Sequence, residues 1–329
     1  MTEQLLRWSD TEHDVMAGDL TVAIAYLTPA GGAVVTAVSP VGTADRATGR
    51  IGFTTSLGFP RKLDRILRDP RMAMAYHTRT HGFATHDAYV LAQGPATVDL
   101  SPPPERLDRL LSESERFLGP GKQGPLWDRL LREYDRNRVF VDIDVRRLVT
   151  WPDAAAGGAP AVTGPARAEA PEPQRPPGGG TAPRVPVAAL AKAIRQLPHR
   201  LLAYRGADGF PVIVPVTVSG HDGDGLRLAA PAGLLPPGGR RAGFLAHRFG
   251  PQCVGLSTRM LTGWLTVDGD GEGSYAPHTS QGMTAPANRT VQALGRGLLA
   301  KRGVQRARRD GTEERLRSLA GNGGRSPGS

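Results

Sequence analysis

Residues 50–76 read RIGFTTSLGFPRKLDRILRDPRMAMAY. Arg50–Thr55 reads as a strand, and Gly58 and Pro60 turn the chain out of it. Leu63, Ile66 and Leu67 then recur at helical spacing until Pro70 stops the run. Met72–Thr78 returns to a strand. A short helix inserted after a strand, without a GxGxxG turn or a Walker loop, argues against a doubly wound sheet. It suits a small antiparallel barrel.

The flanking sequence extends that pattern. Leu20–Leu27 and Ala33–Ser39 form a hairpin around the Pro29–Gly32 turn. Ala88–Val98 is a further strand, and Val139–Val149 reads as the closing one. Asp10–Ala17 is a short helix, and Leu107, Leu110, Leu111, Leu126, Leu130 and Leu131 form the apolar stripe of another helical stretch. Residues 153–184, rich in Ala, Pro and Gly, read as a disordered linker. Beyond it the order recurs. GLRLAAP matches RIGFTTS, RRAGFLAHRF (240–249) matches PRMAMAYHTR (70–79), and GWLTVD (263–268) matches GPATVD (94–99). The helix with Arg61-Lys62 has no counterpart, since only AGLLPPGG stands in its place. The expected organisation is a mainly β chain of two tandem barrels with short helices, the second degenerate. A first barrel spans 1–152, the linker 153–184, a second barrel 185–300, and a basic helix and disordered tail 301–329.

With 329 residues the chain is long enough for two cores. Its single cysteine, Cys253, excludes an intramolecular disulfide and a cysteine-rich metal site, and a buried structural thiol is expected. The polar start MTEQLLRWSDTEHD lacks a signal-peptide pattern and no apolar run is long enough for a bilayer, so a cytoplasmic protein without membrane partners is expected. The net charge of +10 favours anionic ligands, but much of it lies in the tail LLAKRGVQRARRDGTEERLRSLA. That tail reads as an amphipathic helix docking through Leu298, Leu299, Val304, Leu316 and Leu319. It has no interleaved aromatics, which argues against nucleic acid as a partner.

The chemistry concentrates in TTSLGFPRK. Thr54, Thr55 and Ser56 supply hydroxyls, and Arg61 and Lys62 bring two cations to the start of a helix. Unpaired N–H groups at such a start, with a guanidinium and an ammonium beside them, suit a phosphate monoester. A solvated basic helix start is the alternative reading. His77, His81 and His86 crowd one strand end, but their spacing is a poor metal pattern, and no metal site is expected. His77 is a candidate for contact with a ring or substrate, mirrored by His247 across a pseudo-twofold.

The run FTTSLGFPRKLDRILRDPRMAMAYHTRTHGF, followed by AYVLAQGPATV, resembles the pyridoxamine 5′-phosphate oxidase-like family, whose fold is the FMN-binding split barrel. The resemblance rests on Phe53–Thr55, Gly58, Arg61-Lys62, Asp69-Pro70-Arg71 and Gly94. It implies that Arg61 and Lys62 would hold the FMN phosphate, and that Thr54 and Thr55 would bond the phosphate or ribityl chain. Thr36, Val38 and Ser39 would lie along the ribityl and ring, and Tyr89 would reach the ring from a neighbouring subunit. It implies a homodimer, or here an intramolecular pseudo-dimer of barrels, and flavin-dependent hydride transfer with a small organic substrate. The Arg-x-His substrate segment of the pyridoxamine oxidases proper has no counterpart in this chain. Looser relatives use FMN or a deazaflavin and some bind haem, so a deazaflavin reductase and a non-catalytic flavin or haem carrier stand as alternatives.

Overall fold

The computed structural model describes residues 6–120, 124, 138–166, 169–268, 272–288, 302–303 and 305–323. Leu126, Leu130, Leu131, Leu298, Leu299 and Val304 lie outside the described residues.

Helix α1 (Asp10–Gly18) starts at a reciprocal cap: the Ser9 hydroxyl accepts the Glu12 N–H, and the Glu12 carboxylate accepts the Ser9 N–H. There follow β1 (Val22–Leu27), β2 (Ala33–Val38), β3 (Arg50–Ser56), α2 (Pro60–Arg68), β4 (Arg71–Tyr76), β5 (Tyr89–Asp99), α3 (Pro104–Leu118), β6 (Arg138–Asp144) and β7 (Arg147–Trp151). The strands pair antiparallel in the order β2-β1-β4-β5-β6-β3, a curled half-barrel. Leu111, expected in the apolar stripe of α3, is exposed, while Leu110 is buried.

The expected closing strand Val139–Val149 is two strands. Residues Ala96–Asp99 of β5 pair with β6, whereas Tyr89–Gln93 pair with β7. The chain must step between them at Val145-Arg146, where the Arg146 N–H bonds the Gln93 carbonyl at 2.9 Å. Gly94 sits at the crossing. A Cβ there would lie 1.9 Å from the Asp144 carbonyl oxygen, so only glycine lets the strands cross.

Over 153–184, where composition leads to the expectation of a disordered linker, the chain is pinned. β8 (Ala161–Thr163) pairs with β7. Gln174 donates its backbone N–H to Gly239 O and its side-chain amide to Gly31 O, and accepts the Arg241 N–H. Arg240, buried, donates to Pro171 O. Polar backbone satisfied by a few well-placed side chains holds this segment, and composition carries no trace of that.

The second half contains α4 (Val187–Ile194), β9 (His199–Arg205), β10 (Pro211–Pro215), β11 (Thr217–His221), β12 (Leu226–Ala229), β13 (Gly238–Arg248), β14 (Ser257–Val267) and β15 (Glu272–Thr284). Their order is β10-β9-β13-β14-β15-β12-β11. Apart from β11, and without counterparts of β7 and β8, this is the path of the first sheet again, with β9 for β1, β10 for β2, β12 for β3, β13 for β4, β14 for β5 and β15 for β6. The three sequence matches fall on the pairs β3/β12, β4/β13 and β5/β14. α4 precedes β9 as α1 precedes β1, a correspondence that the sequence did not reveal. Between β12 and β13 the described residues contain turns and no helix.

The two sheets share one core. Val22, Ile24 and Tyr26 of β1 face the interior of the first barrel. Ala23 and Ala25, on the opposite face, join Ala73, Ala75 and Val35 against Leu202, Phe244 and Tyr275 of the second half. Alanines on this face let the backbones come close: a Cβ on Gly243 would stand 2.6 Å from Ala33 O. Tyr89 donates its hydroxyl to Ile213 O at 2.8 Å, Gln93 donates to Pro211 O, and Arg147 pairs with Asp208.

α5 (Thr312–Gly323) lies against α2, with Leu316 fully buried in the first core and Arg315 3.5 Å from Asp64. Leu316→Ala is therefore expected to cost about 3 kcal/mol of unfolding free energy, a core value rather than a tail value. Chemical denaturation measures it, and a loss below about 0.5 kcal/mol, typical of a surface site, would contradict the docking. No helix among the described residues is long and apolar enough to cross a membrane.

Candidate functional site

The α2 start is built from the end of β3. Ser56 accepts the Gly58 N–H on its hydroxyl and the Phe59 N–H on its carbonyl, which folds the chain into the helix. Phe59 occupies the cap position and offers no side-chain acceptor; Pro60 follows at the first helical position; the first turn carries no acidic residue. The positive end of the helix dipole is therefore left uncompensated by any capping side chain or acid of the first turn.

Two cations stand at this end in different environments. Arg61 is exposed. Lys62 is half-buried, its ammonium 5.3 Å from the Phe53 ring centroid and 5.4 Å from that of Phe59. Burial lowers its pKa from 10.5 to about 8, and no carboxylate raises it back. A desolvated ammonium between two rings, with no acidic partner among the described residues, is a site short of one anion. The donor set fits a phosphate.

The remaining expected site residues divide. Thr55 is buried, and Thr54 accepts a hydrogen bond from Arg138 at 3.3 Å. Thr36 pairs with Ile24 and Val38 with Val22, which places both on the barrel-interior side of β2. Ser39 is taken: its hydroxyl lies 3.0 Å from the sulfur of Cys253, which also lies 3.3 Å from the Thr21 hydroxyl. Cys253 is buried, in a short 3-10 turn (Pro251–Cys253) of the second half that covers this end of β2. Tyr89 is fully buried against Trp151 and spends its hydroxyl on Ile213 O, so it crosses into the second half rather than toward α2.

His77 meets neither His81 nor His86. His86 pairs with Asp14, and His81 lies edge-on to Phe249. The partner of His77 is His247, with Nε2 atoms 2.7 Å apart where the two halves face each other, and His199 lies edge-on to His77 and tilted against His247. His77 Nδ1 lies 3.2 Å from Ala75 O, where it donates; its Nε2 then accepts the Nε2–H of His247. His247 Nδ1 is left buried without a partner. Burial pushes the His77 pKa down to about 3 and that of His247 well below its ordinary value. Among the described residues no cluster of three metal-ligating side chains occurs.

A second group of charged residues escaped the sequence reading. Arg65, Arg68 and Arg71, near the far end of α2, gather with Arg205 from β9 around a pocket of about 360 Å³. Nothing in the linear order hints that Arg205 joins the others.

No protein-family model matches the chain, and no curated protein does. Solved structures do. A conserved hypothetical protein of Mycobacterium tuberculosis is 24% identical, over 47% of this chain and 91% of that one, with a TM-score of 0.34. A pyridoxamine 5′-phosphate oxidase-related, FMN-binding protein of Nostoc punctiforme is 12% identical, over 60% and 87%, with a TM-score of 0.29. An F420 reductase is 18% identical, over 41% and 94%, with a TM-score of 0.31. The chain is thus similar to solved structures that include a member of the pyridoxamine 5′-phosphate oxidase-related group, the group that its FTTSLGFPRK run resembles.

Proposed function

We propose that this chain binds a flavin-type cofactor by its phosphate at the start of α2 and serves redox chemistry on a small organic substrate. The observation that carries this is Lys62: an ammonium moved out of water, with no acidic partner among the described residues, at an uncapped helix start. Arg61 adds an exposed guanidinium, and Thr55, on the same face of β3 as Phe53, adds a hydroxyl, whereas Thr54 lies on the opposite face against Arg138. Thr36 and Val38 line the interior side of β2 along which a ribityl chain would run. A bound flavin supplies hydride acceptance and donation; the protein supplies anchoring, orientation and exclusion of water.

The second half takes the place that a neighbouring subunit has in a dimer of such barrels. The shared alanine-rich core and the Tyr89–Ile213 and Gln93–Pro211 bonds support this arrangement within one chain. Only the first half has the α2 start, so one phosphate site per chain follows. His77 is not the group that meets a substrate, because its accepting nitrogen is already bonded to His247.

The visible spectrum of the purified protein, alone and after addition of FMN or F420, tests the reading. The two bands of a flavin or the single band of a deazaflavin support it and distinguish FMN from F420. A Soret band, or a protein that stays colourless and takes up neither cofactor, refutes it. Turnover of the reduced cofactor with added substrates then separates an enzyme from a carrier.

A further inference from the structure

We infer that the pocket between the far end of α2, the β1–β2 turn and the end of β9 is a second anion site, for a phosphorylated small molecule carrying two or more negative charges. Its lining includes four arginines, Arg65, Arg68, Arg71 and Arg205, against one acid, Asp69. The site uses none of the residues assigned to the flavin phosphate.

Two of the arginines are pre-set by carboxylates and a third lies against a buried hydroxyl. Arg71 is held by both Asp69 carboxylate oxygens, at 2.8 and 2.6 Å. Arg65 stands beside the buried Tyr26 hydroxyl, whose pKa burial raises and the Arg65 charge lowers. Arg68 is held by Asp64 at 3.1 Å. Arg205 is exposed, and its side chain makes no hydrogen bond or ion pair among the described residues. It nevertheless stands close to Arg71: a Cβ on Gly209 would lie 2.2 Å from Arg71 Nη1 and 3.5 Å from Arg205 Nη2. Asp69 faces both guanidiniums and Asp208 adds a second carboxylate near Arg71, yet with Arg65 and Arg68 beside them the cations of the pocket still outnumber the acids that face it. An oxyanion in the pocket offsets that excess of positive charge, and planar guanidinium forks are the groups best suited to bind it. Arg205 comes from the second half and the others from the first, so the site exists only because the halves are joined. Gln174 steadies its rim through Gly31 O. The volume, about 360 Å³, is within the range of small-molecule sites.

Calorimetric titration of the full chain with inorganic pyrophosphate tests the inference, with ADP as a parallel ligand. Saturable binding of pyrophosphate is expected, and Arg205→Ala should weaken it by about tenfold or more, the effect of one charge-assisted contact. Lys62→Ala should leave it within about twofold, because that cation serves the other end of α2. Tighter binding of ADP identifies a nucleotide as the source of the phosphates, and equal binding a phosphate group alone; both agree with the assignment. Absence of saturable binding at millimolar pyrophosphate overturns it. So does equal affinity in Arg205→Ala, or a loss in Lys62→Ala that matches the loss in Arg205→Ala. Thermal unfolding of each variant shows whether the fold is retained, and Arg205→Gln replaces Arg205→Ala if alanine destabilises.

Discussion

Replacing Arg61 and Lys62 together by alanine is expected to lower FMN affinity by well over tenfold while the protein still folds. Each cation contributes a charge-assisted hydrogen bond to a phosphate, worth about 1.5–3 kcal/mol, and about 1.4 kcal/mol is a factor of ten. Neither residue supports the fold through an ion pair among the described residues. Lys62 packs over Phe53 and Phe59, so its methylenes matter slightly, but its charge is a burden in the free protein. Relief of that burden by an anion makes the binding pH-dependent. With a pKa of about 8 in the free protein, Lys62 loses its proton as pH rises through that value, and wild-type affinity falls with it. In Lys62→Ala this alkaline limb disappears. Arg227→Ala is the matched control, because Arg227 is exposed and paired only with Asp222. Arg240, although it is the residue opposite Pro70 in the sequence match, is no control: it is buried and donates to Pro171, Pro236 and Pro237. Quenching of flavin fluorescence, or equilibrium dialysis for a deazaflavin, measures the affinities. Unchanged affinity in the double variant would remove the phosphate from α2.

The sequence carried the barrel because its punctuation is local. Gly58, Pro60 and Pro70 bracket α2, and the Pro29–Gly32 turn defines the first hairpin, each by its own backbone preference. The repeat was legible for the same reason: His77 and His247 align because each follows the matched arginine of its run, Arg71 and Arg241, at the same spacing. Other features were hidden because they depend on pairs distant in the chain. Nothing near Val145 announces that β5 splits its partners; that follows from Gly94 passing against Asp144. The Pro-rich segment around Gln174 reads as open linker, because its bonds go to Gly31, Gly239 and Arg241 in both halves. Ser39 and Tyr89 looked free for a ligand, yet Cys253 and Ile213 take up their hydroxyls. Arg205 lies outside every motif and meets α2 only through the packing of the two sheets.

Acidification is expected to destabilise the folded chain through the His77–His247 pair, with His77 alone contributing about 2 kcal/mol near pH 5. Both imidazoles are neutral in the fold. One proton sits between the two Nε2 atoms; a second there would turn two N–H groups on each other across 2.7 Å and place a positive charge in buried surroundings. The unfolded chain has no such restraint, and its histidines take up protons as pH falls below about 6.5. The unfolded state then binds more protons than the native state, so unfolding free energy declines as pH drops from 6.5, and for His77 it continues to decline until about pH 3. A histidine kept neutral in the fold contributes about 1.4 kcal/mol per pH unit below its unfolded pKa, hence about 2 kcal/mol at pH 5 for His77, and His247, also lowered by burial, acts in the same direction. The acids do not imitate this signature. Asp14, lowered to about 2 although burial alone would raise it, acts only below the ordinary carboxylate range. Asp19, raised by burial, has the opposite slope. Urea unfolding at a series of pH values measures the effect. His77→Gln with His247→Gln should be less stable at pH 8 and should show a slope shallower by about one proton or more between pH 6 and pH 5. If the double variant does not fold, wild type alone decides: stability that stays level from pH 7 to pH 5 shows that the pair is protonated as readily in the fold as out of it, and the close contact between the halves at this point would then be absent in solution.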